Sequence, residues 1–161
     1  MMSLNEILDN VKKSYIMLDL KANNKQEAIS EMLIYAESNG LRINISKTIE
    51  CMFKKENIIS SGLGYGVAFP HLRTKEVQEN ELIFAVSKPG INYYALDKKP
   101  VHLLTMFLTP IDKSDKYLQL LSLMTKISKL SMYTVLLLES KSQEEFKDKL
   151  SNMVKDIIGG K

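Results

Sequence analysis

Ser61-Gly62-Leu63-Gly64-Tyr65-Gly66-Val67-Ala68-Phe69-Pro70-His71 is the segment from which the rest of the chain is best read. Glycines recur at 62, 64 and 66, and the run closes on Pro70-His71. The alternation predicts an extended stretch whose backbone is open to close approach. Pro70 holds its own φ and drives Phe69 toward an extended conformation. His71 is then presented from a constrained backbone, beside three glycines able to expose N–H donors.

Strands are expected downstream of this segment. Leu82 to Val86 and Val101 to Leu108 are apolar, β-branched or aromatic runs that end near Pro89 and Pro110. Neither alternates cleanly, the pattern of strands covered on both faces. The flanks read as helix. Leu4, Ile7, Leu8 and Val11 recur at helical spacing, and Ile29, Met32, Leu33 and Ala36 fall at i, i+3, i+4 and i+7. Asn23 or Asn24 offers the second helix its N-cap, and Gly40 a stop. Ile49, Met52 and Phe53 suggest a short third helix.

Beyond the strands, Ser114 or Asp115 stands ready to cap a helix lined by Leu118, Leu121, Met124 and Ile127. Ser142-Gln143-Glu144-Glu145 fits a capping box ahead of Phe146, Leu150, Met153, Val154, Ile157 and Ile158. Tyr133 to Leu138 suits strand or helix equally. Several strands packed with helices define the α/β class.

Composition narrows the function. At 161 residues one compact domain spanning 1–161 is the default, with a core large enough to need neither disulfide nor metal. No linker or internal repeat divides it. The formal net charge of +3, evenly spread, argues against nucleic acid as the main partner. Apolar runs such as Val135-Leu136-Leu137-Leu138 are too short for membrane insertion. The N-terminal residues do not follow the secretory pattern. One cysteine, Cys51, leaves no internal disulfide and no paired-cysteine zinc motif. A cytoplasmic protein without metal or other cofactor is expected.

Two histidines are available for chemistry. His102 lies inside an apolar run, where a strand histidine is usually structural. His71 has Arg73 and Lys75 close behind it, which makes its neighbourhood cationic. A neutral imidazole is a ready nucleophile. Backbone N–H groups of a glycine-rich turn can hold phosphate oxygens, and cations can neutralise them. A plain turn histidine fits the same residues. No Gly-Lys-Ser/Thr follows the glycines, so this is not a nucleotide loop. Glu144-Glu145 and the pair Asp112 and Asp115 sit where helix starts favour negative charge.

From Gly62 to His71 the sequence closely resembles the mannitol/fructose-type enzyme IIA domains of the bacterial phosphotransferase system, whose pattern is G-x-G-x-G-x-A-x-P-H. The likeness extends to Glu27–Ala36, to Leu96-Asp97-Lys98-Lys99-Pro100-Val101 and to Leu118-Gln119-Leu120-Leu121. It implies an α/β sandwich, a mixed sheet packed between helices. It also implies that His71 accepts a phosphoryl group from a histidine-containing phosphocarrier protein, making the chain a phosphotransferase component. Lys55-Glu56 stands where the family has Arg-Glu, and the lysine keeps the charge but loses the bidentate grip. Ser61 replaces a threonine and retains the hydroxyl. Tyr117 falls where the family has a second active-site histidine, and it supplies no imidazolium charge near neutral pH.

Three outputs follow from the resemblance. The phosphorylation state of His71 can be read by a regulatory target protein, as in the nitrogen-regulatory branch, which a free-standing chain of this size resembles most. The group can instead pass to a fructose or mannitol permease subunit. Lys55 and Tyr117 also fit a third role, a degenerate protein-binding module that no longer takes phosphate.

Overall fold

The computed structural model describes residues 1–58 and 62–159. Ser3 starts the first helix, α1 (Leu4–Lys13): its hydroxyl accepts from the Glu6 N–H at 3.1 Å, and the Glu6 carboxylate accepts from the Ser3 N–H at 2.7 Å. This reciprocal pairing satisfies two otherwise orphaned donors. Asn24 caps α2 (Lys25–Ser38), accepting from Glu27, and Gly40 turns away after its end with φ +114°. Both signals were legible in the sequence. The third helix, α3 (Ile45–Ile58), is 14 residues rather than short. Its apolar spacing is evident only from Ile49, but the Asn44 side chain already accepts from the Lys47 N–H at 3.0 Å and starts the helix earlier.

The sheet is built on two long antiparallel strands, β5 (Glu81–Ile91) and β6 (Val101–Pro110), with Ile83 opposite Met106. A short strand, β1 (Tyr15–Met17), lies parallel to β5. Its three residues carry too little pattern to be read from sequence. β5 continues through Pro89 instead of ending there. The register shifts between Val86 and Ile91, and at such an irregularity a proline costs the ladder little.

The glycine segment departs from a single extended run. β2 (Gly62–Gly64) and β3 (Val67–Ala68) form an antiparallel hairpin. Gly64, Tyr65 and Gly66 take φ of +90°, +59° and +75°, and three successive positive φ values reverse the chain. Extended structure does hold from Val67 onward. Val67 lies opposite Leu103 and His71 opposite Phe107, one constant offset of 36 residues. β3 and β4 (His71–Thr74) are therefore two halves of one path along β6, interrupted at Phe69-Pro70. Pro70 has no N–H to give the ladder, yet its carbonyl accepts from Phe107 N at 2.9 Å.

Alternation along β5 and β6 divides the core. Leu82, Phe84, Val86, Leu103 and Phe107 pack with α1 and with α4 (Ser114–Lys129), α5 (Ser131–Leu138) and α6 (Gln143–Ile158). Ile83, Ala85, Leu104, Met106 and Leu108 pack with α2 and α3. The result is a mixed sheet between two helical layers, as the resemblance implied. Each fully buried side chain of this kind contributes about 1.5–3 kcal/mol.

Three local readings resolve here. Tyr133 to Leu138 is helical, with Thr134 and Leu137 buried. Ser142 caps α6 by accepting from Glu145 N, and Phe146, Leu150, Met153 and Val154 are buried while Ile158 is exposed. Neither Ser114 nor Asp115 is the cap of α4. The N-cap is Lys113, delivered by a turn in which its N–H donates to Pro110 O at 3.2 Å; lysine carries no acceptor to cap with. Among the described residues no single helix is long and apolar enough to cross a membrane.

Candidate functional site

His71 opens β4, and among the described residues β4 pairs with β6 alone, so the imidazole stands at a sheet edge. Strand alternation puts Leu72 with the α2/α3 core and turns His71 toward the opposite layer, on the side of Phe69. There its ring lies 5.4 Å from that of Tyr117, tilted by 30°. Tyr117 belongs to the first turn of α4, is 7% exposed, and meets Phe107 edge-on at 5.7 Å. The two residues that family resemblance brought together are neighbours in space. Tyr117 is nevertheless an aromatic wall rather than a cation, and burial pushes its phenol further from ionising.

The tautomer of His71 follows from its partner. Its Nδ1 lies 3.0 Å from the carbonyl oxygen of Phe69. A carbonyl only accepts, so the neutral ring carries its proton on Nδ1 and keeps its lone pair on Nε2. The pKa of His71 is lowered below its usual value, first because half-burial disfavours the imidazolium. The hydrogen bond to Phe69 and the Glu56 carboxylate oppose that shift, and Lys55 adds to it. The arrangement is a neutral, oriented imidazole.

Lys55 reaches the site from the last turn of α3. Its pKa is also lowered, by burial first and then by Arg73, with Glu56 opposing. Arg73 shares the His71 side of β4; its Nη2 donates to Ile111 O at 2.6 Å, which ties it to the loop leading into α4. His71 thus has the Tyr117 ring of α4 against it, feels the charge of Lys55 from α3, and has Arg73 two residues along its own strand. Ser61 lies outside the described residues. His102 sits apart, its Nδ1 3.0 Å from Ser87 O and its ring packed against Gly90, a structural placement.

The glycines are not gathered around the imidazole. The Gly66 carbonyl accepts from His102 N and Leu103 N, at the other end of β6 from Phe107. At about 3.3 Å per strand residue, Gly66 and His71 are about 16 Å apart. Their role is to reverse the chain and permit close packing. A Cβ on Gly62 would lie 2.8 Å from Ala95 Cα.

Sequence reasoning set Glu56 beside Lys55 on the resemblance but missed its partners. Glu56 is buried, and its carboxylate accepts from the Tyr93 hydroxyl at 3.2 Å and faces Lys25 Nζ at 3.8 Å. The one sequence signal was a lysine at the first position of α2, the helix end that disfavours cations.

An open mixed sheet between helical layers, with the glycine-to-histidine segment folded along its central strand, defines the class of enzyme IIA-type α/β sandwiches. The chain belongs to the family described as phosphoenolpyruvate-dependent sugar phosphotransferase system, EIIA 2, which matches residues 9–153. Members of this family are phosphotransfer components. The chain is 30% identical over 139 residues to the PTS system fructose-specific EIIA component of Haloferax volcanii, covering 86% of this chain and 90% of that one. It is 28% identical over 143 residues to the PTS system fructose-specific EIIABC component of Bacillus subtilis, covering 89% of this chain but 22% of that much longer one. Among solved structures, nitrogen regulatory protein IIA-Ntr from Neisseria meningitidis superposes with a TM-score of 0.73 at 28% identity, over 84% of this chain and 92% of that one.

Proposed function

We propose that His71 accepts a phosphoryl group on Nε2 from a phosphohistidine carrier protein, and that its phosphorylation state is read by a regulatory target protein. The observation that carries this reading is the Nδ1 contact to Phe69 O, which leaves Nε2 as the nucleophile. Nε2 forms the new bond to phosphorus, the donor's N–P bond breaks, and the donor ring keeps the electron pair. Positive charge that develops on the His71 ring is held by the Nδ1–H···O=C bond. Lys55, whose charge acts on His71, is the cation that offsets the phosphoryl charge, with Arg73 two residues along the same strand as His71. The incoming group adds roughly two negative charges, enough to favour or reject a partner at this edge.

The likeness to a nitrogen regulatory protein supports the regulatory output. The likeness to a fructose-specific component supports a second reading, in which the group passes on to a sugar-permease subunit. Both begin with the same step. Incubation with a phosphorylated histidine carrier, followed by intact mass, tests it. An acid-labile phosphoryl adduct that is lost in His71→Ala is the expected result. A folded protein that stays unmodified beside an active donor refutes it and leaves the role of a protein-binding module without phosphate.

A further inference from the structure

Lys25 breaks two local rules at once: it is a cation in the first turn of a helix, and its side chain is 7% exposed. Such a position persists only when the surroundings are built to hold it. Here its ammonium donates to the backbone carbonyl of Glu56 at 3.3 Å and faces the Glu56 carboxylate at 3.8 Å. Two aromatic faces enclose the same nitrogen, with Tyr93 and Tyr94 each 5.7 Å from ring centre to Nζ. Tyr94 takes φ +56° in this position, a conformation that a bulky residue rarely adopts. The Tyr93 hydroxyl holds the other carboxylate oxygen at 3.2 Å. Asn24, which caps α2, bridges to Asn92 just before the tyrosine pair. The start of α2, the end of α3 and the segment after β5 are thereby drawn together around residue 56.

The neighbour of Glu56 in the chain is Lys55, in the last turn of α3, and α3 packs against β4, the strand that His71 opens; the Lys55 charge lowers the His71 pKa. We infer that Lys25, with Tyr93, is a positioning device for the site: by gripping both the carboxylate and the backbone carbonyl of Glu56, it sets the last turn of α3 so that the Lys55 ammonium faces His71. Lys25 itself touches no reacting atom and acts through Lys55. The inference rests on the proposed phosphoryl transfer to His71 for its consequence, but its geometry is testable without that reaction.

The test is a double-mutant cycle between Lys25→Met and Lys55→Gln, with Tyr93→Phe as a milder second variant that keeps the ring. NMR titration of the His71 imidazole is the first readout, and the phosphoryl-transfer rate from the carrier is the second. In the Lys55 background, Lys25→Met should raise the His71 pKa and slow transfer about tenfold, with Tyr93→Phe doing the same to a smaller extent. In the Lys55→Gln background both effects should shrink to the part that the Glu56 carboxylate, which itself raises the His71 pKa, carries directly. A merely structural role would lower thermal stability without that dependence on Lys55. An unaltered His71 titration in both folded variants overturns the inference, as does an equal effect in both backgrounds. If wild type takes no phosphoryl group, the proposed function fails while the titration arm still decides the positioning role.

Discussion

Replacing Tyr117 by histidine is the perturbation that most directly probes the site. The ring of residue 117 lies 5.4 Å from that of His71. A unit positive charge at that separation attracts a unit negative charge by about 3 kcal/mol at an effective dielectric of about 20. His71 is only half-buried, so water and salt reduce this to about 1–2 kcal/mol, or roughly tenfold in rate. Two effects oppose the gain. The position is 7% exposed, so burial lowers the new imidazole's affinity for its proton. A smaller ring also gives up part of the edge contact with Phe107, costing about 1–2 kcal/mol of stability. The benefit should therefore be largest near about pH 6 and fade above about pH 7 as the new imidazolium is lost. Rapid-quench measurement of transfer from the phosphorylated carrier, at both pH values, checks this. A folded variant no faster than wild type at either pH refutes the argument that the missing charge limits the reaction.

Two further outcomes are expected. Because burial and Lys55 both lower the His71 pKa, Nε2 keeps its lone pair to lower pH than an exposed imidazole. The wild-type transfer rate should reach its half-loss only below pH 6.5, the ordinary histidine value; a half-loss above 6.5 contradicts this sign. The same lowered pKa favours the folded state fully above the unfolded histidine value, a contribution lost as pH falls through the window between the unfolded and folded values. Separately, Gly62→Ala places a methyl 2.8 Å from Ala95 Cα and 2.9 Å from Ala95 Cβ, neither of which can swing aside. It should cost about 1–3 kcal/mol and appear as a lower melting temperature; an unchanged melt shows that this hairpin yields freely.

Much of the helical framework was legible because its signals are local. The apolar spacing of α1, α2 and α6, the caps at Asn24 and Ser142 and the stop at Gly40 each depend on residues within a turn or two. The long strands β5 and β6 announced themselves by apolar runs. The short β1 and β4 did not: three or four residues show no period, and pairing with β5 or β6 is what makes them strands. The glycine segment misled for a related reason. Alternating glycines suit either an extended run or a chain reversal, and contact with β6 decides which.

The sequence by itself determined the class of the fold through its apolar periodicity, and its glycine-to-histidine motif singled out His71, since both rest on residues close together in the chain. Only the tertiary structure decided which side His71 faces, that its proton sits on Nδ1, and that Tyr117 lies 5.4 Å away, 46 positions along the chain. It alone revealed Lys25 gripping Glu56 across 31 positions. Contacts of that range are set by which faces of the sheet and helices become buried together, and no short spacing of residue types encodes them.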